Sequence, residues 1–342
     1  MWRKPQVWLG FLVSALALFL IFRSINWAEL RHALESAQYG YLFPSAVTLV
    51  IAIWIRGERW RWLFGAQRGQ VTRPRAFNAT AIGYFITNVF PLRLGELVRI
   101  FFVARDGKVS YALAASTIIV EHVLDVLVVL GILIVVVLGG QLPLPDLIEQ
   151  GALLGGIAFG AVLLIMLGLV WQRRRIEAWA ERLLSRIQRL NTQKWVKVVT
   201  HVLDGFAVLQ PGLPLVMVLF WSIVGWLMSA ISFQFALLAF VPDAPISYSL
   251  FTTVATTFAL LVPATPGAIG TLDIAIQQAL MLFAVNENIA LSVALVFHVM
   301  EILVMDGLGM ICLLREAGSW AAAKAQLRTA TSTTTSSGET VG

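Results

Sequence analysis

The chain has 342 residues, 58% of them hydrophobic and only 13% charged, with a mean hydropathy of +0.82. That balance excludes an ordinary soluble domain and calls for lipid as the solvent. The net charge of +6 comes from basic residues gathered in particular loops, not from an aromatic-basic nucleic-acid surface, and one cysteine excludes an internal disulfide framework or a cysteine-based zinc site.

In chain order the pattern predicts an all-α polytopic membrane protein with six full spans and two broken segments. Residues 7–22 follow Arg3 and Lys4 and have no small-x-small cleavage site after them, so they read as an uncleaved span. Residues 27–37 mix Leu30, Ala33 and Leu34 with Glu29, Arg31 and Glu35, as a short amphipathic helix at the interface does. A second span covers 41–55. Arg56, Arg59, Arg61, Arg68, Arg73 and Arg75 follow against one acid, Glu58, and are expected to form a cytoplasmic loop.

Residues 76–104 are the first broken segment, because the apolar stretch before Pro91 falls short of the roughly twenty residues a span needs. Arg93, Arg99, Arg105 and Lys108 follow, so a re-entrant hairpin entering and leaving on the cytoplasmic side is expected. Residues 111–138 are long enough to cross with tilt. The stretch 139–150 has Asp146 and Glu149 but no Lys or Arg, and is read as external.

Residues 151–171 return to the cytoplasm. A basic stretch with helical apolar spacing follows (Arg173 to Lys197), either lying on an anionic membrane surface or serving as a solvated connector. Residues 213–240 cross outward, the second broken segment covers 250–285 and dips in from outside, and 290–314 cross back. The Ser/Thr/Gly-rich tail is expected to be disordered from about residue 329.

Two inverted-topology repeats follow from these loop charges: residues 1–140 and 151–314, with 315–342 as a cytoplasmic tail. Both termini come out cytoplasmic. His122, Asp125 and Gly131 fall 176 positions before His298, Glu301 and Gly307. Transporters built this way bind substrate at the repeat interface near the midplane.

The strings Pro91-Leu-Arg93-Leu-Gly95-Glu96-Leu-Val-Arg99, Glu121-x-x-x-Asp125 and Pro263-x-x-Pro266-Gly267-x-x-Gly270 resemble the flippase-like membrane domain of lysylphosphatidylglycerol synthases and their stand-alone relatives. The resemblance runs to about Leu314. It implies lipid translocation or related lipid handling, without the aminoacyl transfer of a soluble synthase domain, since only a short polar tail follows the last span. The family pattern usually has Arg where His122 stands and near His298, and Glu where Asp273 stands. These departures bear on charge state and substrate.

The residues carry their own chemistry. Breaking a helix inside the membrane frees backbone polar groups, which must be buried in protein or line a wet cavity. Helix starts suit a phosphate, Gly95, Gly267 and Gly270 allow close approach of a headgroup, and Arg99 can hold a phosphate through a forked pair. Alternatively, these Pro and Gly residues only kink and pack helices. Glu121, His122 and Asp125 share one helix face, which must point into a cavity or meet Arg99 or Arg93. That face is either a structural charge lock or a carrier of protons coupled to transport.

The expected substrate path therefore comprises Pro91, Arg93, Gly95, Glu96, Arg99, Glu121, His122 and Asp125 in the first half. In the second half it comprises Pro266, Gly267, Gly270, Asp273, His298 and Glu301. The expected function is movement of an anionic phospholipid or lipid-linked headgroup between leaflets of the inner (cytoplasmic) membrane, with no cofactor, metal or nucleic acid involved. An intramembrane lipid-modifying enzyme, with Glu121, His122 and Asp125 as acid–base groups, is the alternative, followed by a scaffold for a separate lipid synthase. Oligomeric state stays open.

Overall fold

The computed structural model describes residues 27–90, 94–139, 203–210, 212–260 and 266–318, with isolated positions between 157 and 200. All regular structure among these residues is helical. Apart from those isolated positions, the expected spans at 7–22 and 151–171, the basic stretch after Arg173 and the tail from 319 lie outside the described residues. The remaining four spans are present, and each is long and apolar enough to cross a bilayer: Tyr39–Leu63, Tyr111–Leu138, Leu213–Leu238 and Glu287–Gly318.

Helix α1 (Trp27–Ser36) is amphipathic as expected, but its apolar face is covered by protein. Leu30 packs with Leu291 of the last span, and Asn288 donates to Glu29 at 2.6 Å. Helix α2 (Leu42–Leu63) runs about two turns beyond the expected end at residue 55. Arg56, Arg59 and Arg61 thus lie on a membrane helix and not in a loop. The correction has a physical cause: Glu58 accepts from Arg61 at 2.7 and 2.9 Å, and Arg59 meets acids of another span, so the charges are matched inside the fold.

The first broken segment forms α3 (Arg73–Val89) and α4 (Leu94–Ala104), with residues 91–93 outside the described positions. At 1.5 Å per residue these helices are about 25 and 16 Å long, too short to cross about 30 Å of hydrocarbon. They pack face to face because glycines meet: a Cβ on Gly95 would run into the Gly83 carbonyl and the Thr87 hydroxyl. Helix α5 (Tyr111–Leu138) follows, capped by Ser110, whose hydroxyl accepts from the Leu113 N–H at 3.1 Å.

Helix α6 (Leu213–Leu238) is antiparallel to α2 along its length. The register is fixed by small residues: Ser45 and Ser232 exchange hydroxyl-to-carbonyl bonds at 2.6 and 2.8 Å, Gly225 lies against Ile55, and Ser222 faces Arg59. The opposite faces of these two helices stay apolar and uncovered, with Phe43, Val50 and Trp54 on α2 and Val216, Phe220 and Ile223 on α6. Those faces suit lipid.

The second broken segment forms α7 (Ile246–Ala259) and α8 (Thr271–Met281), stapled at the open end by Tyr248 stacked on Phe283 at 3.9 Å. Gly267 (φ 70°) and Gly270 (φ 84°) take left-handed backbone in the turn between them, which side chains disfavour. Helix α9 (Glu287–Glu301) continues to Gly318 through a wider π-helical turn, Ile302–Asp306. Gly309 packs its distal part onto Ala81 and Phe85 of α3.

The two breaks meet. The turn Pro266–Ala268 packs on α3, and a Cβ on Gly267 would stand 4.0 Å from the Asn88 carbonyl oxygen, one residue before the end of α3. Asn88 also donates to Asp306 at 2.9 Å.

Candidate functional site

Four helices contribute to a buried four-charge cluster. Arg59 of α2 donates to Glu121 at 2.7 Å and to both carboxylate oxygens of Asp125, one of them at 3.0 Å. Arg99 of α4 donates to the other oxygen of Glu121 at 2.8 Å and lies 4.4 Å over the Trp60 ring. Trp226 of α6 donates its indole N–H to Asp125 at 2.8 Å. The side chains of Arg59, Glu121 and Arg99 are 2%, 4% and 8% exposed, so lipid never reaches them. Two cations against two anions sum to zero, and every carboxylate oxygen is claimed. Like charges at positions 121 and 125 are tolerable because Arg59 stands between them.

Beside this cluster, the His–carboxylate pairing occurs twice. His122 Nε2 lies 3.0 Å from Glu96, a first-turn residue of α4. His298 Nδ1 lies 2.8 Å from Asp273, a first-turn residue of α8. In each half, the histidine of the span holds the acid that follows the helix break. The pairs differ in access: His122 and Glu96 are 48% and 33% exposed, His298 and Asp273 only 8% and 3%.

The second pair is further constrained. His298 Nε2 lies 2.8 Å from the Gly267 carbonyl, which can only accept, so this nitrogen carries a proton. Asp273 meanwhile accepts the Gly270 N–H at 2.8 Å through its other oxygen. Nδ1 and the facing carboxylate oxygen would both be acceptors unless one of them also holds a proton. The Asp273–His298 axis therefore carries a proton of its own, and the turn of the second hairpin is tied to it.

A chain of contacts joins the two regions. Trp226, bonded to Asp125, also lies 4.9 Å beneath the Arg56 guanidinium, and Arg56 is within electrostatic reach of Glu301 one turn from His298. Arg56 donates to Tyr84 at 3.1 Å and to Ser229 at 3.3 Å.

Of the expected site residues, Arg99, Glu121 and Asp125 come together in the charge cluster, Glu96 with His122, and Gly267, Gly270, Asp273 and His298 around the second turn. Glu301 lies on the connecting path with no hydrogen bond among the described residues. Pro91 and Arg93 lie outside the described residues, and Pro266 opens the second turn. Arg99 pairs with Glu121 and stacks over Trp60, and Gly95 packs against the Gly83 carbonyl. Arg56, Arg59, Asn88 and Trp226 were not anticipated. Charge counting offers a signal for one of them: two acids on α5 need two cations, and Arg99 supplies one.

The family model for the lysylphosphatidylglycerol synthase transmembrane region matches residues 7–309. Glycosyltransferase AglD of Haloferax volcanii is 24% identical over 339 residues, covering 90% of this chain and 54% of that protein, so the chain spans about half its length. A UPF0104 membrane protein of Methanocaldococcus jannaschii is 22% identical over 218 residues, covering 64% of this chain and 88% of that protein. No solved structure matches.

Proposed function

The chain belongs to the lysylphosphatidylglycerol synthase transmembrane-region family, and from that premise we propose that it moves an anionic phospholipid or lipid-linked headgroup between leaflets. One observation carries this reading: the same His–carboxylate latch is built at both helix breaks, open at His122–Glu96 and sealed at His298–Asp273. Two hairpins that meet at their breaks, with one latch accessible and the other closed, match a path open to one side at a time. In this reading the chain is two inverted repeats, residues 1–140 and 151–314, with both termini in the cytoplasm of an inner-membrane protein. The headgroup crosses along the polar seam from Glu96 to His298 while the acyl chains stay in lipid.

The charge cluster serves as the fixed wall of this path. Its acids are fully engaged by Arg59, Arg99 and Trp226, which argues against free acid–base groups there and so against the enzyme reading. The name of the Haloferax relative keeps that alternative in view. Liposomes holding the purified protein and a headgroup-labelled phosphatidylglycerol separate the readings. Leaflet exchange without a change of lipid species is the expected result; a new lipid species would favour the enzyme, and neither outcome would favour a scaffold for a separate synthase.

A further inference from the structure

Arg56 is a cation inside a span with no carboxylate within 4 Å among the described residues. It lies about 21 Å along α2 from Leu42 and about 10 Å from Leu63. An arginine that merely escapes the membrane would reach toward the nearer end. This one reaches the other way. Ile55 faces Gly225 on the antiparallel α6, and Arg56 bonds Ser229, four residues and about 6 Å farther from the Leu63 end.

Its partners are neutral. The Ser229 hydroxyl proton is given to the Gly225 carbonyl at 3.1 Å, so this oxygen only accepts from Arg56. Tyr84 also accepts from Arg56, and its own O–H finds no acceptor among the described residues, leaving one more donor aimed at the same place. Trp226 closes one face of the guanidinium. Glu301 is within electrostatic reach of Arg56 yet makes no hydrogen bond or ion pair among the described residues. Arg59 and Arg99, by contrast, are neutralised by Glu121 and Asp125.

We propose that Arg56, framed by Tyr84, Ser229 and Trp226, is an intramembrane seat for a phosphate group. The ligand chemistry is a phosphate ester with a free oxygen pair for the guanidinium fork. Within the proposed function this is the headgroup phosphate of the lipid, so the assignment rests on that reading for its source.

The test is retention of phosphatidylglycerol on the purified full chain in detergent, read by native mass spectrometry, with diacylglycerol as the lipid lacking phosphate. The wild type should retain phosphatidylglycerol over diacylglycerol. Arg56→Gln should lower that retention roughly tenfold, the loss of a charged hydrogen-bonding partner. Arg56→Lys, which keeps the charge without the fork and guards against misfolding, should fall between. Excess inorganic phosphate that displaces the lipid would identify free phosphate as an occupant of the same seat, while phosphatidylglycerol that resists it identifies a lipid seat. Equal retention by folded Arg56→Gln and wild type overturns the assignment. Retention that depends on Arg56 without leaflet exchange would sink translocation and leave the seat; exchange unaffected by Arg56→Gln would do the reverse.

Discussion

At the scale of single residues, the four-charge cluster is the feature with the clearest energetic consequence. Burying ions costs several kcal/mol each, recovered only when all partners are present. Arg59 is the member that touches both acids, so removing it leaves Glu121 and Asp125 facing each other with Arg99 alone. Arg59→Met should therefore destabilise the protein by about 3–5 kcal/mol. Asp125→Asn should cost less, because the amide oxygen can still accept from Trp226 and Arg59. Thermal unfolding in detergent would order the two; Asp125→Asn as the more damaging change would mean that Arg59 is not the hub. Much of this cluster was legible in the sequence. Two acids on one face of an apolar helix had to turn inward, and Arg99 was named as one partner, while His122 of the same face stays half exposed. Arg59 was hidden because a count of basic residues along a segment treats each as a solvated loop charge. Nothing in the spacing separates a paired intramembrane arginine from one in water; only the position of α5 beside α2 does.

Among helical elements, the two breaks were readable because Pro, then Gly, then a carboxylate is hard to reconcile with an uninterrupted span. What each glycine does was not readable. Gly95 is held against the Gly83 carbonyl, whereas a Cβ on Gly131 of α5 meets nothing within 4 Å. Gly95→Ala should thus force α3 and α4 apart at a cost of about 1–3 kcal/mol, the range for overpacked sites. Gly131→Ala should be neutral or slightly stabilising, since alanine is the better helix former. Paired melting curves check the contrast, and equal shifts would mean that the α3–α4 contact is looser than described. Gly307, the partner of Gly131 at a spacing of 176, also has open space around it, so packing does not explain why these two glycines recur.

For the whole molecule, the described residues sort into two ends of opposite character. One end gathers the Gln38–Ala239 backbone bond, the Asn288–Glu29 contact and the loop carrying Asp243. The other gathers Arg73, Arg75 with Asp106, Arg105 with Glu316, and Lys108. The basic end is expected in the cytoplasm. Because Cys312 is the one cysteine of the chain and is buried, a Cys312→Ser background permits clean labelling. A cysteine at Lys108 should react only with a reagent supplied inside the cell, and one at Asp243 only with a reagent outside; both reacting from the same side would remove the inverted arrangement. Between these ends α9 serves both hairpins, with His298 on the Gly267 turn and Asp306 on Asn88. In an unbroken α-helix eight residues advance about 800°, which sets two side chains roughly 80° apart. The wider turn at Ile302–Asp306 absorbs one extra residue, leaving seven steps of about 100° and an offset of only about 20°. That surplus residue is thus a phase corrector: it brings both contacts into line, and the same residues wound as an unbroken α-helix would swing Asp306 about 80° away and leave the Asn88 amide without it.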